Sequence, residues 1–318
     1  MHPAKSVIYF TIASGAGYGL MVWLALMAAL GLLPADPVFG LVAFGIGFAL
    51  IVSGLLSSTF HLGHPERAWR ALSQWRSSWL SREGVSAILS FVPLGFFALS
   101  WIALHRNGGG AALAGLAGAA MSLLTIYTTS MIYASLKPIP AWHNGWTVAG
   151  YLLLGPMNGA VILVFLTQLF GLREAASATG WIALALLAAG LLAKLAYWAR
   201  IRNAAPVSTA ASATGLGHLG KVELTASPHD QDNYLLREMG FRIARKHSAK
   251  LRLIAIVVAF IVPMLLVLGT LLLPARIAMA PMAGLAWASC QLGLFCERWL
   301  FFAEAKHAVT LYYGEQAV

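Results

Sequence analysis

The apolar residues of this 318-residue chain fall into long runs separated by short polar stretches. A run of about 18 or more apolar residues is long enough for a helix to cross a membrane. Eight runs reach that length, at residues 8–32, 39–60, 84–104, 111–136, 146–170, 181–198, 253–273 and 279–302. The alternation of polar and apolar positions that a membrane barrel needs is absent from the sequence. We therefore predict an all-α membrane protein, a single integral membrane domain over residues 1–318 built as a bundle of eight transmembrane helices.

The composition supports this prediction. The chain is 59% hydrophobic and 10% charged, whereas a soluble domain is about 45–50% apolar and about 25% charged. Only Lys194, Glu297 and Arg298 are charged residues inside the runs. The first run is longer than a signal-peptide core of about 7–15 residues and has no small-x-small cleavage site, so we expect it to stay in the mature protein. These features exclude a soluble enzyme carried on one anchor.

The basic residues are distributed unequally between the two sides of the predicted bundle. The net charge is +10, with 21 Lys and Arg residues. Seventeen of these lie on the side that holds both termini, and three lie on the other side. Because Lys and Arg favour the cytoplasmic side of a membrane, we predict that both termini and the larger loops are cytoplasmic. This account of the charge leaves no reason to expect nucleic-acid binding.

The densest polar chemistry lies in the loop between the second and third runs. His61 and Glu83 stand where these runs meet the membrane surface. Ionisable groups at membrane depth are costly, so a functional role is the first hypothesis. A quinone headgroup takes up two protons with two electrons, and His and Glu are suited to exchanging them. The alternative interpretation of residues 61–84 is an amphipathic connector that lies in the membrane interface.

Further polar groups lie on the same side. Residues 133–146 form a second aromatic and polar collection, in which Tyr133 and Trp142 are candidate pocket walls, although interfacial Trp and Tyr occur in any membrane protein. We expect Lys194 to snorkel toward the surface. For Glu297 and Arg298 two alternatives stay open, that they pair inside the bundle or that they line it.

The sixth loop, residues 200–252, is the largest extramembrane segment and the candidate docking segment. Its basic amphipathic part, residues 234–247, either meets anionic lipid or docks a soluble subunit. The two cysteines, Cys290 and Cys296, are too few for an iron–sulfur cluster and fit no zinc pattern, so we expect no metal in this chain. No histidine lies well inside a run, which disfavours a di-haem cytochrome. A secondary transporter remains a remote alternative, because broken helices and midplane charges are missing.

Two segments carry a family resemblance. Residues 61–68, HLGHPERA, followed by residues 78–83, SWLSRE, resemble the membrane-anchor subunit of dimethyl sulfoxide reductase and its relatives. Weaker matches lie at residues 133–142 and 298–302. The sixth loop, over residues 217–241, looks more like the anchor of the sulfite-oxidising relatives. The likeness covers nearly the whole chain and includes the helix count.

The resemblance implies an anchor in the bacterial inner (cytoplasmic) membrane that binds ubiquinone or menaquinone as a substrate. Its implied partners are a four-cluster iron–sulfur subunit and a molybdopterin catalytic subunit, which hold all the other cofactors and perform the sulfur chemistry. The favoured direction is reduction of quinone with electrons from sulfite. The alternative is the anchor of a dimethyl sulfoxide or similar S- or N-oxide reductase that oxidises menaquinol.

The family's motif His and Glu fall on His61 and Glu83. The candidate residues for quinone binding and proton exchange are therefore His61 and Glu83, with Trp79, Arg82, Tyr133 and Trp142 as neighbours. The candidate residues for docking of the partner are Arg67, Arg70, Arg237 and Arg242.

Overall fold

A computed structural model describes residues 5–60, 62, 64–226, 245–273 and 276–318, except for the side chains of residues 276 and 277. The predicted eight-helix membrane bundle is confirmed: eight helices are long and apolar enough to cross a membrane, and the described ranges contain no β-strand. We label these helices α1 (Lys5–Ala29), α2 (Pro37–Thr59), α3 (Trp79–Leu104), α4 (Gly110–Ala134), α5 (Gly145–Leu169), α6 (Arg173–Arg202), α7 (Ser248–Leu272) and α8 (Arg276–Ala303). The sixth helix begins earlier than predicted. Its first turns contain polar residues, so the apolar run in the sequence starts later than the helix does.

The helices are arranged as two rings of four. In the N-terminal bundle, α1 packs on α2 and α4, and α3 packs on the same two helices. The C-terminal bundle repeats this arrangement, with α5 and α7 each packed on α6 and α8. Helices α1 and α5 lie where the bundles meet and are the most buried of the eight. Any group shared by the two bundles therefore lies beside α1 and α5.

Small residues allow α1 and α5 to cross at backbone contact. A Cβ atom at Gly19 would lie 2.2 Å from the carbonyl oxygen of Gly155, and one at Gly159 would lie 2.1 Å from the carbonyl carbon of Gly19. Gly15 and Gly19 thus face a second GxxxG pair, Gly155 and Gly159, and no larger side chain fits at the tightest points. The crossing fixes the two bundles against each other.

A π-helical turn, Val257–Ile261, interrupts α7. The amide of Val262 donates to the carbonyl of Val257, five residues back, so the next carbonyl, that of Val258, would face the nitrogen of Pro263. Proline has no N–H to donate. The hydroxyl of Ser289 on α8 supplies the missing hydrogen bond to Val258 at 2.7 Å. The turn thereby locks α7 onto α8.

An even number of crossings places both chain ends on one face of the bundle, which we call the terminal face. The loops after α2, α4 and α6 lie there as well. The loop after α2 forms a 3₁₀ helix, Pro65–Gln74, which has no buried residue. It is tied to the start of α3, since the Ser81 hydroxyl donates to the carbonyl of Ala71. The predicted interfacial element is thus a short helix held against the beginning of α3.

Candidate functional site

Glu83 is a buried carboxylate near the terminal face. It lies four residues past Trp79, the first residue of α3, so it sits about 6 Å inside the helix end. Its exposed fraction is 5%. The hydroxyl of Thr129 on α4 donates to its carboxylate at 2.5 Å. Within the part of the chain that the structure describes, Glu83 forms no ion pair. A neutral hydroxyl is therefore its partner.

Trp79 and Arg82 form the rim beside Glu83. The Arg82 guanidinium lies 4.2 Å from the centroid of the Trp79 ring, and the Trp79 ring meets Tyr127 of α4 edge to face. Arg82 also donates to the carbonyls of Trp75 and Arg76 at 3.0 and 2.7 Å. These contacts hold the loop against α3 and leave an aromatic and cationic edge next to a buried acid.

Tyr133 and Trp142 lie in an aromatic cluster that joins the fourth loop to the end of α8. The Trp142 indole N–H donates to the carbonyl of Phe301 at 2.9 Å, and the two rings are stacked at 22°. The Tyr133 ring meets Trp142 edge to face, with centroids 5.3 Å apart. Trp142 is only 7% exposed. The structure therefore gives these two predicted site residues a clear packing role.

Of the six predicted site residues, the structure brings Trp79, Arg82 and Glu83 together at the start of α3. His61 lies outside the described residues. The docking candidates divide in the same way: Arg67 and Arg70 are exposed on the terminal face, whereas Arg237 and Arg242 lie outside the described residues.

A second buried carboxylate, Glu297 of α8, lies between two cations. Lys194 of α6 forms an ion pair with it, and Arg298 Nε lies 3.4 Å from its Oε2 atom. The three residues are 1–6% exposed. The prediction that Lys194 snorkels was wrong, because its ammonium stays in the bundle, 4.0 Å above the Tyr197 ring. Of the two alternatives for Glu297 and Arg298, internal pairing is confirmed, and we call the three residues the ion triad.

A small cavity lies between Thr129, the partner of Glu83, and the ion triad. Its volume is about 30 Å³, enough for one or two water molecules. The polar residues that line it are Thr11, Ser14, Tyr18, Thr129, Tyr151, Asn158, Glu297 and Arg298. Sequence reasoning missed Asn158, although an asparagine in the middle of an apolar run is a usable signal. The cavity lies at the junction of the two bundles.

The terminal face carries a larger pocket of about 430 Å³. Arg202, Arg252, Glu304 and Lys306 are among its lining residues. Arg252 Nε lies 2.6 Å from a Glu304 carboxylate oxygen. Burial raises the pKa of Glu304 above its ordinary value, and Arg252 opposes that change. This pocket is a polar entrance next to the end of α8.

Comparisons with known proteins identify the relatives of this chain. The family model described as "DMSO reductase anchor subunit (DmsC)" matches residues 1–314. The C subunit of sulfite dehydrogenase from Allochromatium vinosum is 34% identical, and the match covers 100% of both proteins. The C polypeptide of anaerobic dimethyl sulfoxide reductase from Escherichia coli K12 is 26% identical over 52% of this chain and 58% of its own length. The YnfH polypeptide of anaerobic dimethyl sulfoxide reductase from the same organism is 29% identical over 35% of this chain and 40% of its own length.

Proposed function

The chain belongs to the family of DMSO reductase anchor subunits, and from that premise we propose that it is the quinone-reactive subunit of an oxidoreductase complex. Electrons pass between a membrane quinone and a four-cluster iron–sulfur subunit. A molybdopterin subunit performs the chemistry on the sulfur compound. The anchor supplies membrane attachment, a place for the quinone headgroup and the protons that quinone reduction consumes.

The observation that carries this proposal is the environment of Glu83. A quinone that takes two electrons also takes two protons, one at each carbonyl oxygen. Glu83 can give up or accept a proton without breaking an ion pair, because its described partner is the Thr129 hydroxyl. Trp79 and Arg82 offer an aromatic and cationic edge beside it. In the proposal, Glu83 serves one carbonyl oxygen of the quinone.

His61 is proposed to serve the other carbonyl oxygen. In the sequence it comes two residues after Thr59, where α2 ends. A neutral imidazole can donate or accept a hydrogen bond and titrates near neutral pH. His61 and Glu83 would then each bind one carbonyl oxygen of the same quinone headgroup.

Sulfite is the proposed source of electrons, since the sulfite dehydrogenase protein matches this chain over its full length whereas the dimethyl sulfoxide reductase proteins match about half of it or less. The complex would then reduce quinone. The activity of the purified complex tests this direction. If the complex reduced S-oxides with menaquinol and did not oxidise sulfite, electrons would flow from menaquinol to the S-oxide instead.

The partner is proposed to dock on the terminal face, and that face is proposed to be cytoplasmic. The described loops on the opposite face are only a few residues long, whereas a stable interface needs roughly 800 Å² from each partner. On the terminal face, Trp69 and Trp75 are 67% and 52% exposed beside Arg67 and Arg70. Arg and Trp are enriched among residues that dominate binding energy. The orientation can be tested by fusing to the C-terminus a reporter enzyme that works only in the periplasm. Activity of that reporter would contradict the cytoplasmic orientation.

The test uses Glu83→Gln and His61→Ala in the assembled complex. We expect quinone-linked turnover to fall by about 10²-fold or more, the usual loss when a positioned acid or base is removed. Turnover with a soluble artificial dye should stay unchanged, because that route bypasses the anchor. Glu66→Gln is the matched control, since Glu66 is an exposed acid of the same loop. If both site variants kept full quinone turnover, the proposal would be wrong.

A further inference from the structure

Glu83 needs a supply of protons from inside the protein. Glu83 is only 5% exposed, so bulk water does not reach its carboxyl group freely in the described structure. Each quinone reduced at this site would take a proton from it. The residues that adjoin Glu83 therefore have to restore that proton before the next turnover.

The cavity beside Thr129 has the properties of a water site. It is large enough for one or two water molecules, and buried waters bind polar groups that lack other partners. The Oδ1 atom of Asn158 is such a group: it lines the cavity, accepts no hydrogen bond from the described residues, and belongs to a side chain that is 1% exposed. The Nδ2 group of the same side chain donates to Gln291 Oε1 at 2.5 Å, which fixes its orientation.

Glu297 and Arg298 of the ion triad line the same cavity, and Lys194 reaches it through its ion pair with Glu297. The triad holds one unit of excess positive charge, because two cations surround one carboxylate. Loss of one proton from Lys194 would leave a neutral group. An ammonium is the member that can release a proton, since guanidinium stays protonated in proteins and the carboxylate has none to give. The triad therefore contains a proton whose release lowers the buried charge.

The triad also leads back to the terminal face. The Lys194 ammonium lies 5.2 Å from the ring of Trp198, and the Arg252 guanidinium lies 5.7 Å from the same ring. Arg252 pairs with Glu304 at the wall of the 430 Å³ pocket. Lys194 of the triad and Arg252 at the pocket wall thus have the Trp198 ring as a common neighbour.

We propose that the cavity holds ordered water and that Lys194 restores the proton of Glu83 through it. This inference rests on the proposed quinone function. One proton leaves the Lys194 ammonium for the Glu297 carboxylate, passes to the cavity water, and reaches Glu83 through the Thr129 hydroxyl, which accepts one proton and donates another. The triad changes from +1 to neutral, Glu83 changes from −1 to neutral, and no electron moves. Asn158 acts as a positioning residue that orients the water.

The experiment measures quinone-linked kcat and KM in three variants of the full complex. Lys194→Met removes the proton source and leaves Glu297 and Arg298 as a balanced pair. Asn158→Leu removes the unpartnered oxygen at similar volume, and Asn158→Ser restores a polar group. We expect kcat to fall at least about 10-fold in the first two variants, with unchanged KM, unchanged dye-linked activity and a larger solvent deuterium isotope effect. Asn158→Ser should recover most of the turnover.

Thr167→Val is the control, since Thr167 is a buried hydroxyl of α5 that does not line the cavity. Unchanged kcat in Lys194→Met and Asn158→Leu, with kcat lowered in Glu83→Gln, would overturn the relay and leave the quinone function standing. A large rise in KM without an isotope effect would place these residues in the quinone pocket instead and would also overturn it. Loss of assembly in both variants, with Thr167→Val assembled, would show a structural role and contradict the relay.

Discussion

Among the described residues, each bundle has a glutamate buried within a helix at a similar distance from the terminal face, but the two bundles surround it differently. Glu83 lies about 6 Å inside the start of α3, and Glu297 lies about 9 Å inside the end of α8. Their exposed fractions are 5% and 1%. Glu83 is held by the Thr129 hydroxyl, whereas Glu297 is held by Lys194 and Arg298.

This difference shows that burial alone does not assign a role to an intramembrane acid. A carboxylate between two cations has its charge compensated, and removing one partner leaves an uncompensated buried charge. Glu297 therefore joins α6 to α8 and compensates one of the two buried positive charges there. A carboxyl group whose partner is a hydroxyl can change its protonation state without breaking an ion pair. In our proposal, the N-terminal bundle therefore carries the group that exchanges protons with the quinone.

The strongest test of this difference between Glu83 and Glu297 is to neutralise each acid without changing its size. Glu297→Gln leaves Lys194 and Arg298 buried together, so we expect a loss of about 3–5 kcal/mol in the free energy of unfolding. Glu83→Gln leaves an amide that still accepts from Thr129, so we expect a loss of about 1 kcal/mol or less. Denaturant unfolding of the detergent-solubilised protein measures both values. Equal losses would contradict the distinction between the two sites.

A smaller effect is expected from separating the bundles at the crossing of α1 and α5. Gly159→Leu places a side chain where a Cβ atom alone would lie 2.1 Å from the backbone of α1. We expect a loss of at least about 1–3 kcal/mol in the free energy of unfolding, the usual range for overpacking. Quinone turnover should fall as well, because Glu83 and the ion triad would move apart.

Gly45→Leu is the matched control for this prediction, because nothing lies within 4 Å of a Cβ atom at Gly45. It should be tolerated. If Gly159→Leu were equally tolerated, the tight crossing would not determine how the bundles are joined.

The fold was predictable from the sequence because each crossing needs about 20 apolar residues and the loops hold nearly all charges. The sequence also identified the ionisable residues at membrane depth, because they stand out at the ends of apolar runs. These are Glu83, Glu297 and Arg298. The partner of Glu297 was not predictable. Lys194 lies near a helix end, where a lysine ordinarily snorkels, and its ion pair with Glu297 across the C-terminal bundle turns it inward.

The residues around the cavity were harder to predict from the sequence. The Thr129 hydroxyl lies 2.5 Å from the Glu83 carboxylate and 2.9 Å from the carbonyl of Thr125 on its own helix, and its one hydrogen serves one of these acceptors at a time. Threonines that bond their own helix are common in membrane spans. The sequence pattern therefore does not distinguish Thr129 from threonines that only bond their own helix. For Trp142, the sequence predicts a pocket wall at the membrane edge but not that its indole N–H holds the end of α8.

The central claim is that the quinone headgroup lies at the start of α3, in the N-terminal bundle. A photoreactive quinone analogue, cross-linked to the assembled complex and mapped by peptide mass spectrometry, tests it most directly. The account predicts that labelled peptides come from residues 60–84 and the end of α4, and that an excess of unlabelled quinone removes the label. Label confined to α8 around Glu297 and Arg298, with none near Glu83, would contradict it.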